Sequence, residues 1–237
     1  MKLSIIISIY MSVEATRRQI LHFQKMNLSD DVEFIFVDDG SEPPLIMANL
    51  PQLKKLTIYE TGSKLAWTQG LGRNLGASKA KGEYLFMTDI DHIISKGAIE
   101  DALNFAGNRM MFRRQIGVLD ENGDIRQDKK TLKDWGYEND KLDASVHSNT
   151  FVMKKSIFDG LGGYDEKACT WGYHPATRRG DDCFFNSKWN RAYRGYVCPY
   201  GRDIYVFPLG RFNKWGDLNL FNLFHNLHHR QEVGYKE

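Results

Sequence analysis

Short apolar runs alternate with amphipathic stretches along the first half of the chain, and this alternation predicts strands that are followed by helices. Residues 2–10 are nearly all apolar and rich in β-branched side chains, which predicts a buried strand. Residues 13–26 place apolar side chains among charged ones at helical spacing, which predicts an amphipathic helix capped by Ser12. A second buried strand over residues 33–37 completes a strand–helix–strand unit. Open sheets built from such units bind ligands at the carboxyl ends of their strands.

The same alternation continues after Pro43-Pro44 breaks the chain. It predicts a third strand over residues 55–59, a glycine-rich loop over 62–77 that enters a helix, a fourth strand from Tyr84, and a helix over 96–105. The glycines allow either a close approach of a ligand or close packing of the helix. No Gly-x-Gly-x-x-Gly follows the first strand and no Gly-Lys-Ser/Thr occurs, which argues against a dinucleotide fingerprint and a P-loop.

The second half of the chain is less regular. Residues 109–119 have strand character, and residues 121–124, Glu-Asn-Gly-Asp, predict a hairpin turn. Residues 127–143 are polar and lack a hydrophobic period, which predicts a mobile surface segment or a lid. The remaining predicted elements are a strand over 147–153, a helix over 156–161, a helix over 182–192 and a last strand over 203–207.

Length and composition indicate one large α/β domain, because 237 residues with 42% apolar content can bury a sizeable core. The formal net charge of +2 is too small to indicate a nucleic-acid or membrane-surface protein. No stretch predicts a signal peptide or a membrane span, so we expect a cytoplasmic protein. Cys169, Cys183 and Cys198 are widely spaced and predict free thiols rather than metal ligands.

Candidate chemistry begins where the fourth strand ends. Asp89 and Asp91 stand one residue apart with His92 beside them, and strand alternation would point both carboxylates the same way. Two converging carboxylates repel each other unless a cation lies between them, and a divalent cation that holds a phosphate would satisfy both. A polar turn that caps the next helix through Asp91 or Ser95 is the structural alternative.

Two further acidic pairs occupy comparable places. Asp38 and Asp39 end the second strand, and Asp181 and Asp182 open a helix, where negative charge is favourable. Helix capping remains the alternative for the second pair. The aromatic tail carries three imidazoles that predict either metal ligands or the solvent side of a packed helix: His225, His228 and His229.

Together these segments resemble the family 2 glycosyltransferases of the GT-A fold, from Leu3 to the helix after Asp182. The matching segments are, in order, Ser8-Ile9-Tyr10, Val37-Asp38-Asp39-Gly40-Ser41, Gly72-Arg73-Asn74-Leu75-Gly76, the strand that ends in Asp89-Ile90-Asp91, Gly162-Gly163-Tyr164-Asp165-Glu166 and Gly180-Asp181-Asp182. The chain departs from the family pattern where Asp181 replaces a glutamate. The resemblance implies a GT-A, Rossmann-like fold with a mixed, mainly parallel central sheet flanked by helices.

The resemblance also implies a role for individual side chains. Asp39 would contact the base, usually uracil, Asp38 would help to place the nucleoside, and Arg73 would lie near the diphosphate. Asp91 would bind Mn²⁺ or Mg²⁺, and Asp89 would reach the ribose or the metal. The other implied positions are Ser8, Tyr10, Lys64 and Asn74 on the donor side, and Asp165, Trp171 and Tyr173 on the acceptor side.

Two more implied roles concern catalysis and the tail. Asp182 would act as the general base, with Asp181 as the second candidate. His225 would complete the metal site, with His228 as the second choice. His225 is also favoured over His92 as the ligand. The resemblance therefore implies a metal-dependent, inverting hexosyl- or N-acetylhexosaminyl-transferase. Its donor would be a nucleotide-sugar, in particular a UDP-sugar.

The domain organisation that follows is a single GT-A domain over residues 1–207, with a donor half over 1–91 and an acceptor half over 92–207. Residues 208–237 would form a C-terminal extension that packs on the active site. The expected acceptor is a hydroxyl group, with a glycan favoured and a hydroxylated base in DNA as the alternative. A basic rim could serve nucleic acid: Lys129, Lys130, Lys133, Arg178, Arg179, Arg191 and Arg194.

Two other functions stay open. A sugar-phosphate nucleotidyltransferase would also place acidic residues and a metal on an α/β sheet, but it needs a basic, glycine-rich loop after the first strand, where this chain has Tyr10-Met11-Ser12-Val13. A non-catalytic nucleotide- or sugar-binding module is the second, and loss of the acidic sites would favour it.

Overall fold

The computed structural model describes residues 1–63, 68–135, 146–166 and 181–206. The strands are β1 (Leu3–Ile9), β2 (Val32–Asp38), β3 (Leu56–Glu60), β4 (Tyr84–Asp89), β5 (His92–Ile93), β6 (Arg109–Ile116), β7 (Val118–Leu119), β8 (Ile125–Arg126), β9 (Val146–Lys154) and β10 (Tyr200–Val206). The helices are α1 (Val13–Lys25), α2 (Gln69–Lys79), α3 (Lys96–Asn104), α4 (Lys129–Asp134), α5 (Lys155–Gly160) and α6 (Asp181–Ala192), with a 3₁₀ turn at Met47–Asn49.

Within the described part of the chain, eight strands form one sheet in the order β3-β2-β1-β4-β9-β6-β10-β5, and β7 pairs with β8 as a separate hairpin. The pairs β1–β2, β1–β4, β2–β3 and β6–β10 are parallel. β9 runs antiparallel to β4 and to β6. The carboxyl ends of β1, β2 and β4 and the amino end of β9 therefore meet along one side of the sheet, which we call the carboxyl edge.

Both faces of the sheet are covered, which explains why the central strands are apolar on both sides. One buried cluster packs α1 and α3 against side chains such as Ile5 and Phe86. The second packs α2, α5 and α6 against side chains such as Ile6 and Phe151. Strands that precede residue 91 in the chain and strands that follow it belong to the same sheet, because β4 pairs directly with β9.

Glycines bring α2 against β1, so helix packing is the purpose of this part of the glycine-rich stretch. A Cβ on Gly72 would stand 2.5 Å from Ser8 Oγ, and a Cβ on Gly76 would stand 2.5 Å from Ile6 Cγ2. Ser8, which we predicted as a donor contact, is 3% exposed beneath this helix. Its position in the interior would require α2 to move before it could meet a donor.

The structure differs from the sequence-based expectation in two local features. Ser12 occupies the position before α1, but its hydroxyl donates to Tyr10 O at 2.7 Å instead of capping the helix. α4 forms within the segment predicted to be irregular, with Asp128 accepting a hydrogen bond from Thr131 N as its cap. The sequence offered two caps for α3, and the structure confirms Ser95, which accepts a hydrogen bond from Ala98 N, instead of Asp91.

Several predicted features lie outside the described residues. They are the donor contact Lys64, the acceptor contacts Trp171 and Tyr173, the metal ligand His225 with its alternative His228, residues 136–143 of the predicted lid, and the tail. Among the described cysteines, Cys183 and Cys198 form no disulfide. Each described helix is too short or too polar to cross a bilayer.

Candidate active site at the carboxyl edge

The two carboxylates at the end of β2 have different structural roles. Asp38 is 1% exposed, and its Oδ1 and Oδ2 accept backbone hydrogen bonds from Ser41 N at 2.9 Å and Leu45 N at 2.7 Å. Asp39 Oδ1 accepts hydrogen bonds from the hydroxyls of Thr61 and Thr68, which precede α2. Asp38 therefore fixes the loop after β2, and Asp39 fixes the entry to α2.

The turn after β1 is tied to the same loop. Met11 adopts a left-handed backbone conformation with φ of 49°, and its N–H donates to Ser41 Oγ at 2.8 Å. This conformation is uncommon for a residue other than glycine and is found where surrounding structure enforces it. Tyr10, the predicted donor contact, is half-buried immediately before this turn. This hydrogen bond thus connects the turn after β1 to the loop after β2.

Arg73 lies at the centre of the carboxyl edge rather than on its surface. Its side chain is fully buried, its Nη2 donates to Asp89 Oδ1, and its Nη1 lies 4.0 Å from Asp181 Oδ2. Its guanidinium also stands 5.3 Å from the centroid of the Tyr164 ring. Burial disfavours the charged guanidinium, but the carboxylates, Asp89 first, outweigh it and raise the pKa of Arg73. We call Arg73, Asp89 and Asp181 the Arg73 bridge.

The Arg73 bridge bears on the predicted contact between Arg73 and a diphosphate. That contact would require the guanidinium to leave Asp89 and the interior. The guanidinium lies between the end of β4 and the start of α6, with a hydrogen bond to Asp89 and a charge contact of 4.0 Å, too long for a hydrogen bond, to Asp181. One member of each of two acidic pairs thus lies beside one buried cation.

Asn74, the next residue on α2, holds the segment that contains Asp165. Its Nδ2 donates to Tyr164 O at 3.0 Å, and its Oδ1 accepts from Tyr164 N at 2.9 Å. Gly163 has φ of +59°, and a Cβ there would stand 2.6 Å from Asn74 Oδ1. Both sides of the amide are thus used to dock residues 162–166, whereas the sequence predicts Asn74 as a donor contact. Asp165 lies half-buried in this docked segment.

The two carboxylates at the start of α6 differ in exposure. Asp181 is 2% exposed, and burial raises the pKa of its carboxyl despite the nearby Arg73. Asp182 is half-buried, and its Oδ2 accepts a hydrogen bond from Ser148 Oγ at 3.1 Å. Of the pair, Asp182 is the carboxylate that is both oriented by a neighbour and open to a solvent-side molecule.

Arg109 ties together the strand and the helix that flank Asp182. Its Nη2 donates to Asn186 Oδ1 on α6 at 2.8 Å and to Ser148 O on β9 at 3.3 Å. The guanidinium lies 4.5 Å from the centroid of the Phe151 ring, and burial lowers its pKa. This buried cation is therefore a clamp between β9 and α6.

A group of potential metal ligands surrounds the end of β4. Single ligand atoms of Asp89, His92 and His147 lie within 4.8 Å of one another, and His147 Nδ1 is 3.7 Å from Asp89 Oδ2. Burial lowers the pKa of His92 to about 4 and also lowers the pKa of His147, so both imidazoles are neutral at pH 7. Burial and the charge of Asp89 raise the pKa of Asp91 to about 7. One carboxylate and two neutral imidazoles are ligands that fit a divalent metal ion.

Sequence reasoning assigned His147 and Ser148 to a strand and gave them no role. Both lie at the carboxyl edge because β9 is antiparallel to β4, with Phe151 paired to Met87. The available signal was the polar run His-Ser-Asn-Thr immediately before the apolar residues 151–153. That run mirrors the apolar-to-acidic change at the end of β4.

Comparison with known proteins places this site in a family. The model of the family described as glycosyltransferase like family 2 matches residues 4–174. The poly(ribitol-phosphate) beta-N-acetylglucosaminyltransferase TarP of Staphylococcus aureus (strain N315) is 27% identical over 165 residues, which are 67% of this chain and 50% of TarP. The chain thus spans half the length of this curated relative.

Solved structures agree with the fold. The crystal structure of S. aureus TarS 1-349 aligns with a TM-score of 0.50 and 16% identity, covering 99% of this chain and 69% of that one. The same TarS fragment in complex with UDP-GlcNAc also has a TM-score of 0.50 and 16% identity, covering 87% and 58%. These alignments confirm the predicted GT-A-type mixed sheet flanked by helices. Because the family model matches more than half of this chain, the chain belongs to the glycosyltransferase-like family 2.

Proposed function

We propose that the chain transfers a sugar from a nucleotide-sugar to a hydroxyl group and inverts the anomeric carbon. UDP-N-acetylglucosamine is the donor to test first. Family membership, the N-acetylglucosaminyl transfer in the name of TarP and the UDP-GlcNAc bound in a TarS crystal structure support this choice.

The Arg73 bridge is the observation that carries the proposal. It holds Asp89, at the end of the strand expected to meet the donor, beside Asp181, which directly precedes the proposed base Asp182. A transferase needs its donor site and its base within one small volume, because the attacking hydroxyl must reach the anomeric carbon. A module that only binds a nucleotide has no need of this second carboxylate.

The proposed reaction uses Asp182 as the general base. Its carboxylate takes the proton of the acceptor hydroxyl, whose oxygen forms a bond to the anomeric carbon from the face opposite the leaving group. The bond between that carbon and the diphosphate oxygen breaks, and the nucleoside diphosphate leaves with the bonding electrons. Ser148, through its hydrogen bond to Asp182 Oδ2, fixes the direction of the carboxylate.

The metal-ligating side chains around Asp89 fit the divalent cation that the family resemblance implies. Asp89 with Asp91 is the proposed oxygen-bearing part of that site. When bound, such a cation would neutralise the charge that develops on the departing diphosphate. Asp39, in the same proposal, receives the base near the entry to α2.

The test is a transfer assay with the full chain, a panel of nucleotide-sugars and both Mn²⁺ and Mg²⁺. We expect release or transfer of N-acetylglucosamine from its UDP donor, and a loss of about 10²–10⁴-fold in kcat for Asp182→Asn. Asp159→Asn is the matched control, because Asp159 is a surface aspartate paired with Lys155 on α5. Activity of Asp182→Asn within threefold of wild type would refute the role of this base.

Acceptors are tested with the best donor. The panel is a poly(ribitol-phosphate) chain, chosen from the name of TarP, neutral oligosaccharides, and DNA containing a hydroxylated base. A glycan or polyol acceptor is expected. NMR of the product must show the anomer opposite to that of the donor, and retention would contradict the single-displacement mechanism.

A further inference from the structure

We propose that His147 and His92 are nitrogen ligands of the cation at the end of β4, so that this site selects a transition metal over Mg²⁺. The inference rests on the proposed function, because it assigns ligands to the cation of that same donor site. It replaces the expected contribution of a tail histidine with side chains from β9 and β5.

The first argument is the spacing of two acceptor atoms. His147 Nδ1 accepts a hydrogen bond from Asn149 N at 3.3 Å, so this nitrogen is unprotonated, and a bound cation would take its single lone pair in place of this long hydrogen bond. It stands 3.7 Å from Asp89 Oδ2, which is too long for a hydrogen bond between them. Two atoms that each lie about 2.1 Å from one metal ion can be separated by this distance. A shared cation therefore explains the pair better than a direct contact does.

The second argument is the way His92 is held. His92 is 2% exposed, and its Nδ1 lies 2.5 Å from Thr150 Oγ1, which in turn lies 3.2 Å from Thr88 Oγ1. A hydroxyl that accepts from Nδ1–H leaves the lone pair on Nε2, the nitrogen that then serves as a metal ligand. Metal-binding histidines are commonly fixed in this way through their second ring nitrogen. The rings of His92 and His147 meet edge to face at 5.0 Å, so both stand at one place.

The third argument concerns the remaining charge. Asp89 gives one oxygen to Arg73 and turns the other toward His147. The site thus offers one carboxylate oxygen and two imidazoles, and Asp91 is not among the residues whose ligand atoms lie within 4.8 Å of one another. Imidazole nitrogen binds Mn²⁺, Co²⁺ and Zn²⁺ far better than it binds Mg²⁺, which prefers oxygen ligands and water. The preference for a transition metal follows from the two nitrogens.

The test is metal binding by the full chain, freed of metals by dialysis against EDTA and titrated with Mn²⁺ alone. Free Mn²⁺ measured by electron paramagnetic resonance gives the affinity, and electron spin echo modulation reports ¹⁴N couplings of a bound imidazole. We expect ¹⁴N modulation in the wild type, and at least a tenfold weaker Mn²⁺ affinity with reduced modulation for His147→Asn and for His92→Asn. Mg²⁺ in about 100-fold excess should not displace the Mn²⁺.

Three variants make the test specific. His22→Asn removes another buried histidine, one whose two ring nitrogens are already hydrogen-bonded to Gly123 O and Ile94 O, and should keep wild-type affinity. Thr150→Val should weaken Mn²⁺ binding about tenfold or more, while Thr150→Ser, which keeps the hydroxyl, should not. His225→Asn tests the tail histidine directly and should leave the ¹⁴N modulation unchanged.

Two results would overturn the inference. One is Mn²⁺ binding without ¹⁴N modulation, and the other is modulation that survives both His147→Asn and His92→Asn but disappears in His225→Asn. Sugar transfer and stabilisation by UDP are measured on the same preparations. If sugar transfer and stabilisation by UDP persist although the ¹⁴N modulation is absent, the ligand assignment fails and the proposed function stands. If transfer and UDP binding are absent in the wild type, the proposed function fails by its own assay.

Discussion

Replacing Arg73 with methionine should destabilise the protein strongly, because it removes a buried positive charge from between two buried carboxylates. Asp89 is 7% exposed and Asp181 is 2% exposed, so water cannot compensate for the missing guanidinium. Removing one partner of a buried ion pair typically costs about 3–5 kcal/mol. A loss of that size is a large part of the stability of an ordinary domain, which is about 5–15 kcal/mol.

Urea unfolding at pH 7 in EDTA measures the effect. The matched control is Arg202→Met, since Arg202 also pairs with two acidic side chains, Glu100 and Asp101, but is 55% exposed. Such surface pairs contribute at most about 1 kcal/mol. Arg73→Lys should fall between wild type and Arg73→Met, because a lysine keeps the charge but loses the planar fork that reaches two carboxylates.

The pH dependence gives an independent check. Burial already raises the pKa of Asp181 in the wild type, and without Arg73, which lowers it, that folded-state pKa should rise further above the value in the unfolded chain. A raised folded-state pKa favours folding only at low pH and is lost as pH rises. The penalty of Arg73→Met should therefore shrink between pH 7 and pH 4. The double variant Arg73→Met with Asp89→Asn should recover about 1–3 kcal/mol.

A penalty for Arg73→Met as small as that of Arg202→Met would refute this account of the bridge. So would a double variant that is no more stable than the single one. Either result would mean that the Asp89 and Asp181 carboxylates are solvated or bound to other cations in solution.

Three further predictions follow from single contacts. Burial lowers the pKa of His92 from 6.5 to about 4, so the unfolded chain takes up a proton at higher pH than the folded chain does. The free energy of unfolding should therefore fall by roughly 3 kcal/mol between pH 6.5 and pH 4. Urea unfolding of His92→Gln should show a smaller fall over the same pH range. Gly163→Ala should destabilise by about 1–3 kcal/mol, because its φ is +59° and the new Cβ meets Asn74, whereas Gly162→Ala, with φ of +73° and open space around it, should cost about 1 kcal/mol; thermal unfolding compares the two. Ser148→Ala removes the donor to the proposed base and should lower kcat about tenfold with an unchanged KM for the donor; a rise in KM alone would contradict that role.

The first part of the fold, from β1 to β4, could be predicted because its strands are specified locally. β1, β2 and β4 are buried on both faces and mostly apolar, and β2 and β4 end in aspartates, so these strands and the acidic residues at their ends are visible in the sequence. The part of the fold after β4 is less predictable. β5 has two residues and depends on pairing with β10, and α4 has six residues and an aspartate cap in a polar segment. Neither carries a hydrophobic period of useful length.

The site divides in the same way. The acidic pairs could be located from the sequence because each follows directly from the end of a strand or the start of a helix. The position of Arg73 could not, because an arginine in a glycine-rich motif is equally compatible with a phosphate contact and with a buried pair. His147 depends on the antiparallel register of β9 against β4, a long-range pairing that no local pattern specifies.

These observations suggest what the Gly-Arg-Asn-x-Gly segment does as a unit. Gly72 and Gly76 let α2 lie directly on β1. From that position Arg73 reaches Asp89 and Asp181, and Asn74 holds both backbone groups of Tyr164. Two consecutive side chains of α2 thus contact three parts of the chain: the end of β4, the start of α6 and the docked segment 162–166. A larger residue at position 72 or 76 would lift both connections at once, so we expect it to disturb the base and the acceptor segment together rather than donor binding alone.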